Sequence, residues 1–399
     1  MKMQKLMQTR LIIYPDFKNS IQTCDVLNRI SWGLHGIAGG TVSLFLPVES
    51  ASASVQISDW FNKPVLPEFV EHHLSELPPI IRHIGDLKME LGDFCVFWDA
   101  SKYFSHFPEL GIEKKIMIDP NFQFNHEADQ IAALQYTISS TEYRKTLWDT
   151  SRSRYSEFLK CWKGVENAYI YLTGPTVEST LTFPIERSSL HIICNSLVKN
   201  TELLQKIHPD VLMFSDPAYH FGISRYAASF RAYVNQAMAD FPNMLCMVPE
   251  RYYPLTVAFL NEEASKRIIG IPLVEMNDFN FPSIEKFYIR KTANVLTSMM
   301  IPVASSVAAR ICILGADGRA SSDKGYWSHA KSSQINDQLR TIYESHPSLA
   351  RDENIEKYYL EHCHLLEAQL VYGETTQKKD YACLTSSMIP ALANRMSRS

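Results

Sequence analysis

The stretch that decides the fold reads AYIYLTGPTVESTL at residues 168–181, SLHIICNSLVKN at 189–200 and DVLMFSDPAYHFG at 210–222. Each part is a short apolar run that ends in small or polar residues. Apolar runs of this length are typical of parallel strands that are buried on both faces of a sheet. Polar residues just beyond such strands lie where open α/β sheets bind ligands. The three runs therefore predict a parallel sheet with one ligand pocket at its carboxyl edge.

The bulk properties of the chain narrow the class of protein. Its 399 residues give room for two or three domains, and a composition that is 46% hydrophobic and 21% charged is typical of a globular protein. A formal net charge of −4 argues against nucleic acid as a partner. The eight cysteines are scattered and form no CxxC pair, which favours a reducing cytoplasm over a disulfide framework.

The two ends of the chain bear on localisation. Residues 1–17 contain no long apolar segment, and no run in the sequence approaches the ~18 apolar residues of a membrane span. We therefore expect a cytoplasmic protein without a signal peptide. The basic residues 393–399 fit a tail, or the point where a longer polypeptide with further domains was cut.

The order of the predicted elements indicates two α/β domains, at residues 1–155 and 156–399. Gly36, Gly39 and Gly40 follow a helix instead of joining a strand to a helix, so they indicate turns and not a nucleotide fingerprint. The remaining elements are strands at 10–14, 41–48, 94–100, 114–120, 243–249, 268–274, 310–314 and 381–387, and helices at 21–34, 66–76, 127–162, 200–207, 224–240, 292–307 (interrupted at Pro302), 334–345 and 355–372.

Two strand ends near the middle of the chain carry candidate binding residues. Gly174-Pro175-Thr176 follows the first strand, where small residues let backbone N–H groups approach an anionic or nucleotide ligand. The same tripeptide also forms ordinary strand-to-helix turns. Asn195, with Ser196 beside it, ends the second strand, and its amide would bind a sugar hydroxyl or a base edge, or would cap the next helix.

The third strand end holds the candidate with the widest chemistry. Asp216 follows Ser215 and is placed to accept a proton, bind a sugar or attack an anomeric carbon, although an Asp before Pro also forms turns. His220 lies four residues further on. Arg225 is a cation that would meet a phosphate or a carboxylate, or would lie on the surface.

Later segments add a fourth strand end and a polar loop. Gly315-Ala316-Asp317 ends the strand RICIL and reads either as a ligand contact or as a turn. His329, with Lys331 nearby, lies in a loop rich in Gly, Ser, Asp and Lys, and is a candidate acid, base or phosphate ligand if it is not a surface histidine. His362 and His364 point to different faces of a predicted helix, so we expect no metal site there.

Taken in order, these motifs resemble the nucleotide-binding half of the bacterial sialyltransferase-like glycosyltransferases, which use CMP-activated acidic sugars. That family has a Gly-Pro-Ser-type turn, an Asn at the next strand end and an Asn-Pro or Asp-Pro after the third strand. It then has a Thr-rich helix, a strand ending in Gly-x-Asp, and a His-Ser-Lys-like loop. The likeness covers about residues 165–335. Thr176 and Asp216 depart from the usual Ser and Asn.

The additional domain at 1–155 is similar to a second architecture. Two Rossmann-like α/β domains facing a cleft resemble GT-B enzymes, and bacterial Kdo transferases of surface-polysaccharide assembly combine that arrangement with a sialyltransferase-like half. The resemblance implies a CMP-Kdo or CMP-sialic acid donor bound by residues 156–399. It implies that residues 1–155 bind the acceptor through the strand ends at Asp99 and Asp119. That acceptor would be an oligosaccharide or a lipid-linked glycan of lipopolysaccharide O-antigen or capsule. It implies no metal or other cofactor, and association with the inner membrane surface.

The resemblance also implies residue roles. The Gly174 turn and Asn195 would contact CMP and the nearby sugar. His329 would deprotonate the acceptor if the enzyme inverts configuration. If it retains configuration, Asp216 would be the nucleophile and His329 would stabilise the departing phosphate.

Two other functions fit the same residues. One is a pyrophosphokinase-like enzyme with a similar Gly-Pro-Ser/Asp-Pro scaffold, which would depend on ATP and Mg²⁺. The other is a non-catalytic module that binds a glycan or a nucleotide, whose output would not change on Asp216→Asn or His329→Ala substitution.

Overall fold

The structure, a computed structural model, describes residues 9–14, 30–37, 42–47, 80–83, 90, 92–97, 107–108, 110–117, 127–320, 328–345 and 355–397. These residues form helices and parallel sheets, one of five strands and one of seven, with a short parallel pair beside them. The predicted α/β class with Rossmann-like parallel sheets is therefore confirmed.

The strands follow the apolar runs of the sequence. In chain order they are β1 (Thr9–Tyr14), β2 (Val42–Pro47), β3 (Ile80–His83), β4 (Phe94–Phe97), β5 (Lys115–Met117), β6 (Asn167–Tyr171), β7 (Leu190–Cys194), β8 (Val211–Met213), β9 (Leu245–Pro249), β10 (Ile268–Ile271), β11 (Leu273–Val274), β12 (Ile289–Arg290), β13 (Arg310–Leu314) and β14 (Asp380–Cys383).

The first sheet has the strand order β3-β2-β1-β4-β5 and every pair in it is parallel. The chain adds strands first on one side of β1 and then on the other, as in doubly wound folds. The predicted strand ends at Asp99 and Asp119 and the predicted helix at 66–76 lie outside the described residues.

The second sheet has the order β10-β9-β8-β7-β6-β13-β14, again with every pair parallel. The chain builds outward from β6 to β10, and then returns to place β13 on the free side of β6. The direction of winding therefore reverses between β6 and β13. In open α/β sheets, ligands bind outside the carboxyl ends of the strands at such a reversal.

Two apolar layers cover the second sheet, because alternate residues of a strand point to opposite faces. Ile192 belongs to one core cluster and its neighbour Ile193 to the other. Ile313 and Leu314 divide between the two clusters in the same way. Every residue of β7 is buried, as expected for a central strand of a parallel sheet.

The described α-helices are α1 (Glu127–Ala132), α2 (Leu134–Ile138), α3 (Thr141–Trp162), α4 (Thr201–Ile207), α5 (Pro217–His220), α6 (Arg225–Asp240), α7 (Tyr253–Phe259), α8 (Glu262–Ser265), α9 (Ile301–Val307), α10 (Leu339–Ser345), α11 (Ile355–Thr376) and α12 (Pro390–Ala393). A π-helical turn, Leu296–Met300, runs directly into α9. The hydrogen-bond pattern thus changes just before Pro302, whose backbone nitrogen carries no hydrogen to donate to the preceding turn.

Helix α3 crosses the predicted division between residues 155 and 156. Its first turn is capped by Ser140, whose hydroxyl accepts a hydrogen bond from Tyr143 N, and the helix continues unbroken to Trp162. Ser151 accepts a hydrogen bond from the backbone N of Gly270 in β10 at 3.0 Å. This long helix therefore packs on the second sheet although it precedes β6 in the chain.

Candidate functional site

The carboxyl ends of β6 and β13 meet through their backbones at the winding reversal. Gly174 N donates to Gly315 O at 2.9 Å. A Cβ atom at Gly174 would lie 2.5 Å from that carbonyl oxygen, and Gly315 has a φ of +71°, which side chains rarely allow. Both glycines are therefore required for the close approach of the two strand ends.

The side chains at these two ends bind each other. Asp317 accepts a hydrogen bond from Thr176 N at 2.8 Å, and its second carboxylate oxygen accepts one from Thr176 Oγ1. The carboxylate thus occupies the start of the helical turn Pro175–Thr182, where an anion is favoured. Asp317 was predicted either as a ligand contact or as part of a turn. Its carboxylate stabilises the Gly174 turn and accepts the hydrogen bonds that a phosphate would accept there.

His329 lies over the end of β6 and is held there by Thr173. Its Nδ1 is 2.7 Å from Thr173 Oγ1, and Ala330 N donates to Thr173 O at 2.8 Å. Desolvation by burial lowers the pKa of His329 to about 4, so the ring is neutral at pH 7. Within the described part of the chain Nε2 has no hydrogen-bond partner, so it is the ring atom left for a ligand.

The loop that carries His329 is fastened to the neighbouring strand ends. Ser332 Oγ donates to Glu178 at 2.7 Å and lies 3.1 Å from Asn200 Nδ2. Lys199 Nζ donates to Gln334 O at 2.6 Å. The loop is therefore held at several points along its length. Lys331 is exposed within it.

Asn195, directly after β7, has an unusual backbone and an unused amide oxygen. Its φ of 49° lies in the left-handed region, which few residues other than glycine adopt. Its Oδ1 is buried and has no hydrogen-bond partner among the described residues. Strain of this kind combined with an unsatisfied polar atom is often found at ligand sites. The adjacent Ser196 is buried.

Asp216 lies at the next strand end, after half-buried Ser215. The side chain is exposed to solvent, although many protein atoms lie around it. This desolvation raises the pKa of the carboxyl to about 6. Tyr252 and Tyr358 both lie close enough for the charge of Asp216 to raise their own pKa values, after the larger effect of burial. At pH 7 the Asp216 carboxylate is mostly ionised and accessible.

His220, which the sequence placed at the same pocket, lies in the core instead. His220 is 2% exposed, accepts a hydrogen bond from Asp216 N at 3.0 Å and packs against Phe214 and Phe230. Burial lowers its pKa to about 3. His220 therefore supports the backbone of Asp216 from inside the core and does not face a ligand. Arg225 is exposed at the first residue of α6.

A buried arginine of α6, Arg231, holds the segment that follows Asp216. Arg231 Nη1 donates to the carbonyl oxygens of His220 at 3.2 Å and Gly222 at 3.1 Å, and its guanidinium lies 4.2 Å from the ring centroid of Phe259. The segment after Asp216 is thus fixed by an interior charge. The position of Arg231 on a helical face was readable in the sequence, but its carbonyl partners were not.

One residue of the site that the sequence analysis missed is Thr173, although it had a visible signal. It precedes the Gly174 turn directly, so its side chain had to lie at the strand end. The partner, His329, is 156 residues away in sequence, and spacing alone could not join the two.

Residues from the first part of the chain contact the segment that directly follows β9. Asp129 on α1 accepts a hydrogen bond from Tyr252 Oη and forms an ion pair with Arg251 at 2.9 Å. Tyr136 on α2 donates to Glu250 at 3.0 Å. These contacts link the helices before α3 to the strand end next to Asp216.

Two further features concern ions and membranes. In the ranges that the structure describes, no group of three or more His, Cys, Asp or Glu side chains is arranged to hold a metal ion. Of the described helices, none combines the length and the apolar character needed to cross a bilayer.

Comparison with protein-family models, with curated proteins and with solved structures finds no match to this chain.

Proposed function

We propose that this protein is a glycosyltransferase that moves Kdo, or a sialic acid, from its CMP donor to a surface glycan of the lipopolysaccharide O-antigen or capsule type. The observation that carries the proposal is the row of groups along one sheet edge: the Gly174 turn at the winding reversal, Asn195 with its unused amide oxygen, accessible Asp216, and His329 held above them. The proposal includes a GT-B-like arrangement, with the acceptor entering from the side of the first sheet and the protein working at the inner membrane surface.

The donor phosphate would lie beside His329. In the proposed tautomer, Nδ1 of the neutral imidazole accepts the Thr173 hydroxyl hydrogen and Nε2 carries the proton, and that N–H would donate to a phosphate oxygen. The nearby Asn195 amide would bind the sugar or ribose. Since Asp317 already occupies the start of the Pro175 helical turn, the phosphate would lie on the His329 side of the crevice.

The two candidate catalytic groups favour retention of configuration. A base with a pKa of about 4 accepts a proton poorly from an acceptor hydroxyl, so His329 is better suited to stabilising the leaving phosphate. Asp216, with a pKa of about 6, is mostly ionised at neutral pH and can attack as a carboxylate.

The proposed reaction has two displacements. An oxygen of Asp216 forms a bond to the anomeric carbon while the bond from that carbon to the phosphate oxygen breaks, and CMP departs with the electron pair. The acceptor hydroxyl oxygen then bonds to the same carbon, the bond to Asp216 breaks, and the hydroxyl proton passes to solvent or a neighbouring base. Two inversions restore the original configuration.

A ligand screen by thermal unfolding tests the proposal at its first step. A ligand present at about 100 times its Kd stabilises a protein by about 2.7 kcal/mol, so CMP should raise Tm while UDP, GDP and ATP should not. The second step is incubation with CMP-Kdo and with CMP-sialic acid, followed by measurement of released CMP and of the product's anomeric configuration. Absence of stabilisation by CMP, together with absence of turnover of either donor, would refute the proposed function.

A further inference from the structure

A separate cavity of about 530 Å³ lies on the far side of the Asp317 turn, between the first half of α11 and the segment that leads into α12. Its size is within the ordinary range of small-molecule sites. It adjoins the crevice described above, because Met388 at its rim donates through its backbone N to Asp317 O at 2.7 Å.

The described residues that line this cavity carry charges of both signs. Arg319 forms an ion pair with Glu356 at 3.4 Å, and Glu367 is paired at 2.8 Å with Arg395, which also pairs with Glu374. An anionic ligand would meet the two glutamates, and a cationic ligand would meet the guanidinium of Arg319. The cavity therefore fits a neutral ligand better than either kind of ion.

The polar groups of the cavity include both donors and acceptors. The side chain of Arg319 is only 6% exposed, and its guanidinium lies 5.7 Å from the ring centroid of Tyr359. Glu356 supplies carboxylate oxygens beside it, and Asn394 supplies an amide. Groups of this kind match adjacent hydroxyls, each of which both donates and accepts hydrogen bonds.

The remaining wall is mostly apolar and open to solvent, with His364 as a polar member. Leu360 and Met388, both at the cavity, are 49% and 53% exposed. Large exposed apolar side chains next to hydrogen-bonding groups suit a ligand with one apolar face and one polar edge. The ring of a neutral sugar has both.

We propose that this cavity binds a neutral sugar unit, and that in the transferase it is the subsite for a neutral residue of the acceptor glycan. The assignment as an acceptor subsite rests on the proposed function, whereas the binding of a sugar does not. A sugar bound in this cavity would place the acceptor against the second sheet, beside the turn that carries Asp317.

Saturation-transfer NMR with the whole protein tests the binding directly. The neutral probes are the methyl glycosides of glucose, galactose and N-acetylglucosamine, and the charged probes are glucuronate and glucosamine. We expect a signal from at least one neutral glycoside and at least about tenfold weaker binding of both charged probes. Absence of signal from every neutral glycoside, or equal binding of the charged probes, would overturn the proposal.

Paired variants on α11 locate the bound sugar. Glu356→Gln and Leu360→Ser should each weaken neutral glycoside binding at least about fivefold, whereas Glu361→Gln and Val371→Ser, at exposed positions on the same helix, should leave it unchanged. Unchanged binding in Glu356→Gln and Leu360→Ser would place the sugar elsewhere and overturn the proposal.

CMP stabilisation, measured in the same four variants, separates this inference from the proposed function. We expect the CMP-induced Tm shift to be the same in all four. Glycoside binding without any CMP effect would refute the transferase and leave the sugar site standing. A CMP effect without glycoside binding would refute the sugar site and leave the proposed transferase standing.

Discussion

His329 Nδ1 and Thr173 Oγ1 lie 2.7 Å apart, and this contact joins a loop to a strand end across 156 residues of sequence. The hydroxyl fixes the orientation of the ring, and the backbone bond from Ala330 N to Thr173 O fixes the loop that carries it. The ring is therefore held in one orientation before any ligand arrives, which removes part of the cost of ordering it on binding.

Replacement of Thr173 by Val should release the ring while keeping the shape of the side chain. The buried Nδ1 would lose its partner, at a cost of about 1–3 kcal/mol in the free energy of unfolding. We expect ¹⁵N NMR of the imidazole to show a mixture of tautomers in Thr173→Val and mainly the Nε2–H form in the wild type. Thr173→Ser keeps the hydroxyl and should behave as the wild type. An unchanged tautomer in Thr173→Val would contradict the assigned role of the contact.

Substitution of Gly174 by Ala should disturb the crevice at the winding reversal. The new Cβ would lie 2.5 Å from Gly315 O and 2.7 Å from the Asp317 carboxylate, so the strand ends must move apart. Overpacking of this kind costs about 1–3 kcal/mol. Chemical denaturation should show this loss, and the CMP-induced Tm shift should shrink. Gly92→Ala is the matched control and should be neutral, because no atom of the described residues lies within 4 Å of the added Cβ.

Asp216→Asn should abolish turnover and leave CMP binding in place. We expect kcat to fall by roughly 10³-fold or more, as in other enzymes that lose a nucleophile. Wild-type turnover should decline as pH falls through about 6, because the carboxylate that attacks is then protonated. A rate that is independent of pH between 5 and 7 would argue against Asp216 as the nucleophile. Asp278→Asn, at an exposed aspartate, controls for loss of a surface charge.

The raised pKa of Asp216 also makes the stability of the protein depend on pH. Its folded-state pKa is raised above the ordinary value of 3.8, so folding favours the protonated form. The penalty for holding the charge appears as pH rises from 3.8 and is complete above about 6. Asp216→Asn should therefore gain stability relative to the wild type between pH 4 and pH 7. Urea unfolding at the two pH values measures this change.

His220 should make the protein less stable as pH falls, which is the opposite of the effect of Asp216. Its folded-state pKa of about 3 is below the unfolded value of 6.5, so the unfolded chain binds the proton first as pH falls. The wild type should lose about 1.4 kcal/mol per pH unit from this residue below pH 6.5, and His220→Phe should lack that loss. Urea unfolding between pH 7 and 5 measures the difference, and His364→Phe, at an exposed histidine, is the control. Equal pH dependence of wild type and His220→Phe would contradict the buried neutral state.

The second sheet was readable from the sequence because its strands are mostly apolar. LHIIC at 190–194 is buried at every position, and few other structures bury five consecutive residues of that kind. The ends of such strands are then marked by the first polar or small residue, which located Gly174, Asn195 and Asp216 correctly at one edge.

Contacts between distant segments could not be read in the same way. The bond between Thr176 and Asp317 exists only because β13 inserts beside β6, and no local pattern specifies that neighbour. His220 was misplaced for a related reason. Its segment contains as many polar as apolar residues, and the aromatic rings of Phe214 and Phe230 that enclose it come together only after folding.

The helix that spans Thr141–Trp162 sets a limit on how the protein can be shortened. Because its middle residues contact β10 while its cap is Ser140, a fragment that starts at residue 156 would lose most of the cover of that edge strand. An edge left open in this way is prone to pair with other chains. A truncated form for crystallisation or ligand screening should therefore begin ahead of Ser140.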